Sequence, residues 1–255
     1  MTAPVLLEVN HVRRQFGGTV AVSDVSLQIK RGARHGVIGP NGAGKTTLFN
    51  LISGWTAADS GTILLDGEPI HQLSAEQVVR RGLARTFQYA QLCATMTVLA
   101  NIVLALQGQQ RLIYSFFRPI AAYAGLVQTA KGILADVGLG QYADTQVSAL
   151  SYGAQKQVEV AMVLATRPAV LLLDEPTAGL SPAESSSMLQ LLRSLDPEIT
   201  ILIIEHDMDV LFGLADTITV LNAGEVLSEG SAAEIRADPL VRQAYMGSRA
   251  LGRAS

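Results

Sequence analysis

The strongest chemical signal in the chain is a run of nine residues. Gly39-Pro40-Asn41-Gly42-Ala43-Gly44-Lys45-Thr46 fits the pattern GxxxxGK[ST], with Thr47 directly after it. An apolar run ends just before it at Ile38, and a helical pattern opens near Lys45. Such a loop lets successive backbone N–H groups converge on phosphate oxygens, and the positive end of the following helix adds to the attraction. Lys45 would bring a formal charge to the β and γ phosphates, and the Thr46 hydroxyl can ligate Mg2+. An ordinary strand–turn–helix needs neither a lysine nor a threonine at these places, so the pattern predicts a nucleotide phosphate site.

Two further acidic and imidazole groups fall where such a site could use them. Val170-Leu-Leu-Leu-Asp174-Glu175 is an apolar strand ending in two acids. Asp174 could orient Mg2+ through a water, and Glu175 could polarise a water in line with the γ-phosphate. Alone, the pair would read as a solvated strand end; beside a phosphate loop it reads as catalytic. Thr200–Ile204 likewise ends in Glu205-His206-Asp207, and His206 could hydrogen-bond a phosphate oxygen or the attacking water. His11, His35 and His71 have no such setting and are read as structural. Taken singly, three more pieces are ordinary: Gln88, at the end of Leu83–Gln88; Phe16, 29 residues before Lys45; and Leu150-Ser151-Tyr152-Gly153-Ala154, ahead of another helix.

These groups need strands and helices to hold them. Short β-type runs are expected at Val5–Val9, Asp24–Ile29, Arg34–Ile38 and Thr62–Leu65, with a helix over Lys45–Ser53 and turns at Asp66-Gly67 and Ala223-Gly224. Ser74-Ala-Glu-Gln77 has the capping-box spacing of a helix start. From about 89 to 165 the alternation disappears and helical spacing takes over, with Val98, Ile102 and Leu106 at i, i+4 and i+8. Strand–helix alternation returns with Val170–Leu173, the stripe Met188, Leu191, Leu192 and Leu195, then Thr200–Ile204, Thr217–Leu221 and Glu225–Leu227. The order predicts an α/β fold: a mostly parallel sheet, an N-terminal antiparallel β portion and an inserted α-helical subdomain. One domain over 1–255 is expected, with 1–88 and 166–255 as the core and 89–165 as the helical subdomain.

Composition narrows the function classes. Apolar residues make up 49% of 255 and charged residues 16%, enough to build a core rather than a disordered chain. A net charge of −3 argues against a nucleic-acid binder, and 5% aromatics are too few for a base-stacking platform. A single cysteine, Cys93, excludes an intramolecular disulfide and a Cys-rich zinc site. The mean hydropathy of +0.30 is high, but the greasiest stretch, Leu112–Val127, is broken by Arg118-Pro119. It also falls short of the ~20 apolar residues that a spanning helix needs. The N-terminus lacks the pattern of a signal peptide, so a cytoplasmic chain is expected.

Together and in this order, the pieces resemble the nucleotide-binding subunit of ABC transporters over nearly the whole chain, from Val5 to about Gly247. In that resemblance the phosphate loop and Asp174-Glu175 are the Walker A and B motifs, and Leu150–Ala154 is the signature loop. Gln88 is the Q-loop glutamine, a ligand of Mg2+ and part of the catalytic set with Glu175 and His206, the switch histidine. Phe16 stacks on adenine. The resemblance implies ATP and Mg2+ as cofactors and a head-to-tail pair of subunits, identical or related. Ser151 and Gly153 of one subunit would then reach the γ-phosphate held by the other. It also implies membrane permease subunits, an indirect solute-binding protein, and a peripheral place on the cytoplasmic face of the inner membrane. Tyr152 and Ala154 depart from the usual LSGGQ, and Ala178-Gly-Leu-Ser181 ends the D-loop in a serine where the family has an acid. Arg85-Thr-Phe-Gln88, Glu205-His-Asp-Met208 and the tail Asp238-Pro239 with Ala244–Gly247 resemble importers of branched-chain and other hydrophobic amino acids. The segment Arg111–Val127, with Phe116 and Phe117, would lie near the membrane subunit. Urea importers, lipopolysaccharide exporters and soluble ABC ATPases are the alternatives.

Overall fold

Runs such as Val170–Asp174 and Thr200–Ile204 carry apolar side chains on both faces, so they are stable only as strands covered on both sides. The computed structural model, which describes residues 3–86, 92–109 and 123–251, builds them that way. Strands β1 (Val5–Phe16), β2 (Thr19–Lys30) and β3 (Arg34–Ile38) lead into helix α1 (Lys45–Ile52). Then come β4 (Ser60–Leu65), β5 (Glu68–Pro69), α2 (Ala75–Arg80) and β6 (Leu83–Arg85). The stretch 92–165 holds α3 (Val98–Gln109), α4 (Ala124–Asp136) and α5 (Tyr152–Leu164), with no strand among its described residues. The chain closes with β7 (Val170–Asp174), α6 (Pro182–Ser194), β8 (Thr200–Ile204), α7 (Met208–Leu214), β9 (Thr217–Asn222), β10 (Glu225–Gly230), α8 (Ala232–Ala237) and α9 (Pro239–Leu251).

The strands form one sheet in the order β5-β4-β1-β2-β10-β9-β3-β8-β7-β6. Strands β9, β3, β8, β7 and β6 run parallel, and β5, β4, β1 and β2 are antiparallel. A single parallel pair, Glu225↔Asp24, joins the two portions. The expected fold class is therefore the observed one. Alternate residues of the parallel strands feed two separate apolar layers. Val170, Leu172, Leu202 and Ile204 pack with Phe49, Leu48 and Ile52 of α1 and with β1, β2 and β4. Leu171, Leu173, Ile201 and Ile203 pack with α5, α6 and α7 and, beyond them, α3 and α4.

Three strands run longer than their apolar residues predict. The second half of β1 carries Arg13, Arg14 and Gln15 and is mostly exposed, yet it pairs with β2 through Arg14↔Val22, Gln15↔Val20 and Phe16↔Thr19. The two-residue turn Gly17-Gly18 closes that hairpin and extends both strands. Strand β10 likewise continues to Gly230 by pairing with β9. The Ser74 capping box is formed, its hydroxyl accepting from Gln77 N.

Candidate functional site

The phosphate loop spans the gap between β3 and α1. Gly44 has φ +100°, and a Cβ there would sit 2.4 Å from the Ala21 carbonyl oxygen, so only glycine lets the loop pass so close under β2. Lys45 is buried; its Nζ donates to the carbonyls of Gly39 at 2.7 Å and Pro40 at 3.1 Å. Burial lowers its pKa, while Glu175 and Asp174 pull the other way. At the opposite end of the chain, Tyr245 of α9 hydrogen-bonds the Gly39 backbone, and burial pushes its hydroxyl up to about 12.

A cavity of about 320 Å3 opens over this loop, lined by Asn41 to Thr47, by Thr19, Val20 and Ala21 of the hairpin, and by Glu175 and His206. Parallel strands present polar groups at their carboxyl ends, and β7 and β8 do so side by side here. His206 Nε2 lies 2.6 Å from Glu175 Oε1, with Glu175 mostly buried and His206 half exposed. Glu175 has φ +50°, an uncommon conformation for a non-glycine residue, and its N–H donates to Ile204 O at 2.9 Å. Phe16 stands exposed at the hairpin end, outside the cavity lining, with the Arg14 guanidinium 4.7 Å from its ring centre. Gln88 lies outside the described residues, as do Phe116 and Phe117.

Two residues that brace this site, Arg85 and Glu205, belong to segments that the sequence singles out, but nothing in their spacing announces a bracing role. Asp174 is buried and pairs with Arg85 at 2.7 Å; the same guanidinium donates to Asn50 Oδ1 at 2.7 Å and Ser53 Oγ at 3.2 Å. Arg85 thus ties β6, β7 and α1 together at the point where the acid is needed. Glu205 is buried as well. It accepts from Thr177 N at 2.9 Å and Thr177 Oγ1 at 2.7 Å, and from His206 N at 3.1 Å, while burial pushes its carboxyl pKa up. That clamp joins the loop after β7 to the loop after β8, and so holds Glu175 and His206 in register. Asp207 then caps α7 through Asp209 N and Val210 N. None of His11, His35 and His71 lines the cavity over the phosphate loop, and His35 is buried with Nε2 2.7 Å from Thr219 Oγ1.

The donor chemistry suits Mg2+. Thr46 and Asp174 offer hard oxygen atoms, and no group of three or more His, Cys, Asp or Glu side chains able to hold a metal occurs among the described residues. A cation that takes most of its ligands from phosphates and water needs only such a partial set.

Ser151 and Gly153 do not line the cavity. Ser151 caps α5, its hydroxyl accepting from Ala154 N at 3.3 Å, and Gln155 Nε2 donates to Leu150 O. Gly153 N donates to Glu184 Oε1 at 3.1 Å, while Glu184 Oε2 accepts from Ser181 N at 3.0 Å and Ser181 Oγ at 2.8 Å. Those bonds, with a further one from the Ser151 hydroxyl, pull the Glu184 carboxyl down to about 2. The Tyr152 ring lies across Gly179, where a Cβ would meet it at 3.3 Å. Two of the three departures from the family's usual spelling thus sit at separate ties between the signature loop and the D-loop: Tyr152 against Gly179, and Ser181 through Glu184 to Gly153.

The sequence pattern of the family described as ABC transporter matches residues 22–178, and that of the branched-chain amino acid ATP-binding cassette transporter matches residues 225–250. The chain belongs to the ABC transporter family. It is an ATP-binding subunit of that family. The high-affinity branched-chain amino acid transport ATP-binding protein LivG of Salmonella typhimurium is 39% identical over 249 residues, covering 95% of this chain and 98% of LivG. The ADP conformation of the ATP-binding cassette MJ1267 superposes with TM-score 0.85 at 30% identity, covering 96% of this chain and all of that one. The dimeric post-hydrolysis state of the cassette MJ0796 bound to ADP and Pi superposes with TM-score 0.73 at 25% identity over 89% of this chain and 99% of that one. ABC cassettes bind nucleotide, and the family implies ATP hydrolysis. No helix among the described residues is long and apolar enough to cross a membrane.

Proposed function

We propose that this subunit hydrolyses ATP to ADP and phosphate and thereby powers import of branched-chain or other hydrophobic amino acids. The observation that carries the hydrolytic half is the Glu175–His206 pair at 2.6 Å over the same cavity as the phosphate loop. Lys45 neutralises the β and γ phosphates, releasing the Gly39 and Pro40 carbonyls as it does so. Thr46, Asp174 and Gln88 hold Mg2+, which when bound offsets charge on the β and γ oxygens. Glu175 takes a proton from the attacking water, and His206 holds Glu175 and the γ-phosphate in line. The work is positioning and electrostatics. Phe16 supplies a ring for adenine.

The same reading pairs the chain head to tail with an identical or related cassette, so that Ser151 and Gly153 complete the partner's site. It seats the pair on permease subunits at the cytoplasmic face of the inner membrane, with a solute-binding protein upstream. The single domain divides into a core, 1–88 and 166–255, and a helical subdomain, 89–165. A largely apolar cleft of about 280 Å3, lined by Ala84, Arg85, Leu92, Ala105, Met162 and Val163, supports a permease contact beside Arg85 and hence beside Asp174. The amino-acid assignment is supported by the likeness to LivG, a branched-chain amino acid transport ATP-binding protein, and by the family pattern over 225–250.

The test is Glu175→Gln. Loss of a general base costs ~10²–10⁴ in rate, so phosphate release should fall by that factor while ATP still binds and an ATP-bound dimer accumulates. A monomeric variant with full turnover overturns the assignment. Uptake of labelled leucine by cells carrying this variant should fail. Unchanged uptake, with redundant carriers removed, redirects the assignment to urea import or lipopolysaccharide export.

A further inference from the structure

The carboxylate of Glu184 sits where the head-to-tail reading needs a phosphate. Its Oε1 takes the Gly153 N–H at 3.1 Å, and the Ser151 hydroxyl is close enough to help hold the same carboxylate ionised. These are the two donors through which the signature loop would hold the partner's γ-phosphate. Gly153 makes the approach possible, since a Cβ there would lie 2.7 Å from both Glu184 Cγ and Oε1. A side chain at 153 would push the carboxylate away, as it would push away a phosphate.

We propose that Glu184 is a resident competitor for the signature loop. Within one chain it occupies the donors that the partner's γ-phosphate must take over, and so it sets the ATP concentration at which two cassettes close. The inference rests on the head-to-tail reading above. One amide and one hydroxyl cannot serve two anions at once, and like charges at contact distance repel, so closure has to displace Oε1. The displacement leaves the capping box intact. Oε2 belongs to the other helix, held by Ser181 N and Oγ at the start of α6, so rotation about the last side-chain bonds frees the signature loop while the cap stays formed. The carboxylate is thus divided between α5 and α6, one oxygen to each. Its release loosens the signature loop from the D-loop at the moment the partner's nucleotide arrives. The Tyr152 ring against Gly179 remains as the second tie between the same two loops.

The experiment uses the full chain carrying Glu175→Gln, so that ATP is not consumed, and follows the monomer–dimer ratio by sedimentation velocity as Mg-ATP is raised. Glu184→Ala and Glu184→Gln are compared in that background. Removing a charge-assisted competitor should lower the ATP midpoint by about tenfold for Glu184→Ala and by less for Glu184→Gln, which keeps a neutral acceptor. A role confined to supporting the loop predicts the opposite sign, because a damaged signature loop needs more ATP. ATP binding by the single chain, read by a fluorescent analogue, reports that the phosphate loop is intact in each variant. If Glu184→Ala does not fold, Glu184→Gln carries the test alone. A midpoint that stays or rises while dimers still form overturns the proposal and leaves the head-to-tail reading standing. No dimer in any variant at saturating Mg-ATP overturns that reading, and the competitor with it.

Discussion

The phosphate-loop end and the signature end of the molecule handle their polar groups in contrasting ways. Around Lys45 the chain builds a cavity, lines it with the phosphate loop, Glu175 and His206, and supports it with buried pairs, Arg85–Asp174 and Glu205–Thr177, that do not themselves line it. Ser151 and Gly153 lie outside that cavity, and the Gly153 amide is already engaged by a carboxylate of the same chain. The first region is shaped to receive a ligand before any partner arrives. The second is self-satisfied, and its polar groups become a binding surface only when one contact is given up. A site completed between two subunits gains from this asymmetry, because an open half-site would attract anions unselectively while a closed one waits for a specific competitor.

If the contrast is right, damage at the first end should be severe and damage at the second mild and conditional. The largest effect is expected from Arg85→Ala, which leaves Asp174 buried without its cation: about 3–5 kcal/mol of stability by chemical denaturation. A loss under 1 kcal/mol would remove Arg85 from its bracing role. Next comes Lys45→Ala, where the loss of a buried charge at the phosphates should weaken ATP binding by the single chain roughly 10–100-fold. Gly153→Ala should leave that single-chain binding unchanged and reduce only the turnover of the assembled pair. An equal loss in both measurements would erase the distinction between the two ends. Ser181→Ala removes a helix cap and should cost about 1 kcal/mol.

The smallest effect is a pH dependence at Glu184, whose bonding partners, Ser151, Gly153 and Ser181, are all uncharged. Its folded-state pKa of about 2 lies below the unperturbed 4.5, so its contribution is complete above 4.5 and fades as pH falls toward 2. The Tm gap between the native chain and Glu184→Gln should therefore be flat near neutrality and narrow on acidification. A gap that widens instead would place the carboxylate in a different set of bonds.

What could be read ahead of the structure was whatever is contiguous. The phosphate loop, the acids ending β7 and the histidine after β8 are each defined by neighbours in the chain, and the cavity brings Lys45, Glu175 and His206 together. The two-sided apolar runs foretold buried parallel strands for the same reason. The supports were illegible because they join distant segments: Arg85 with Asp174, Thr177 with Glu205, Gly153 with Glu184. No spacing rule links such pairs. A partial signal existed at Ser181-Pro-Ala-Glu184, which has the same capping-box spacing as Ser74–Gln77; it announces a helix start but not the second grip on Gly153. The outer half of β1 escaped notice because pairing with β2, not burial, makes it a strand.

The buried strands carry one more consequence. In β7 every apolar residue is buried, and its neighbours on either side alternate between two cores that both accept leucine and valine. Sliding β7 by one position would exchange those sets at little cost in oily contact, so hydrophobicity cannot choose the alignment. The choice falls to the polar tips: Asp174 clasped by Arg85 at one end of β7, and on neighbouring β8 the Thr200 hydroxyl accepting from Gly32 N at 2.9 Å. The acid proposed to orient the metal is also the peg that indexes the central sheet, and a chain that placed it wrongly would have misfolded before it could misfire.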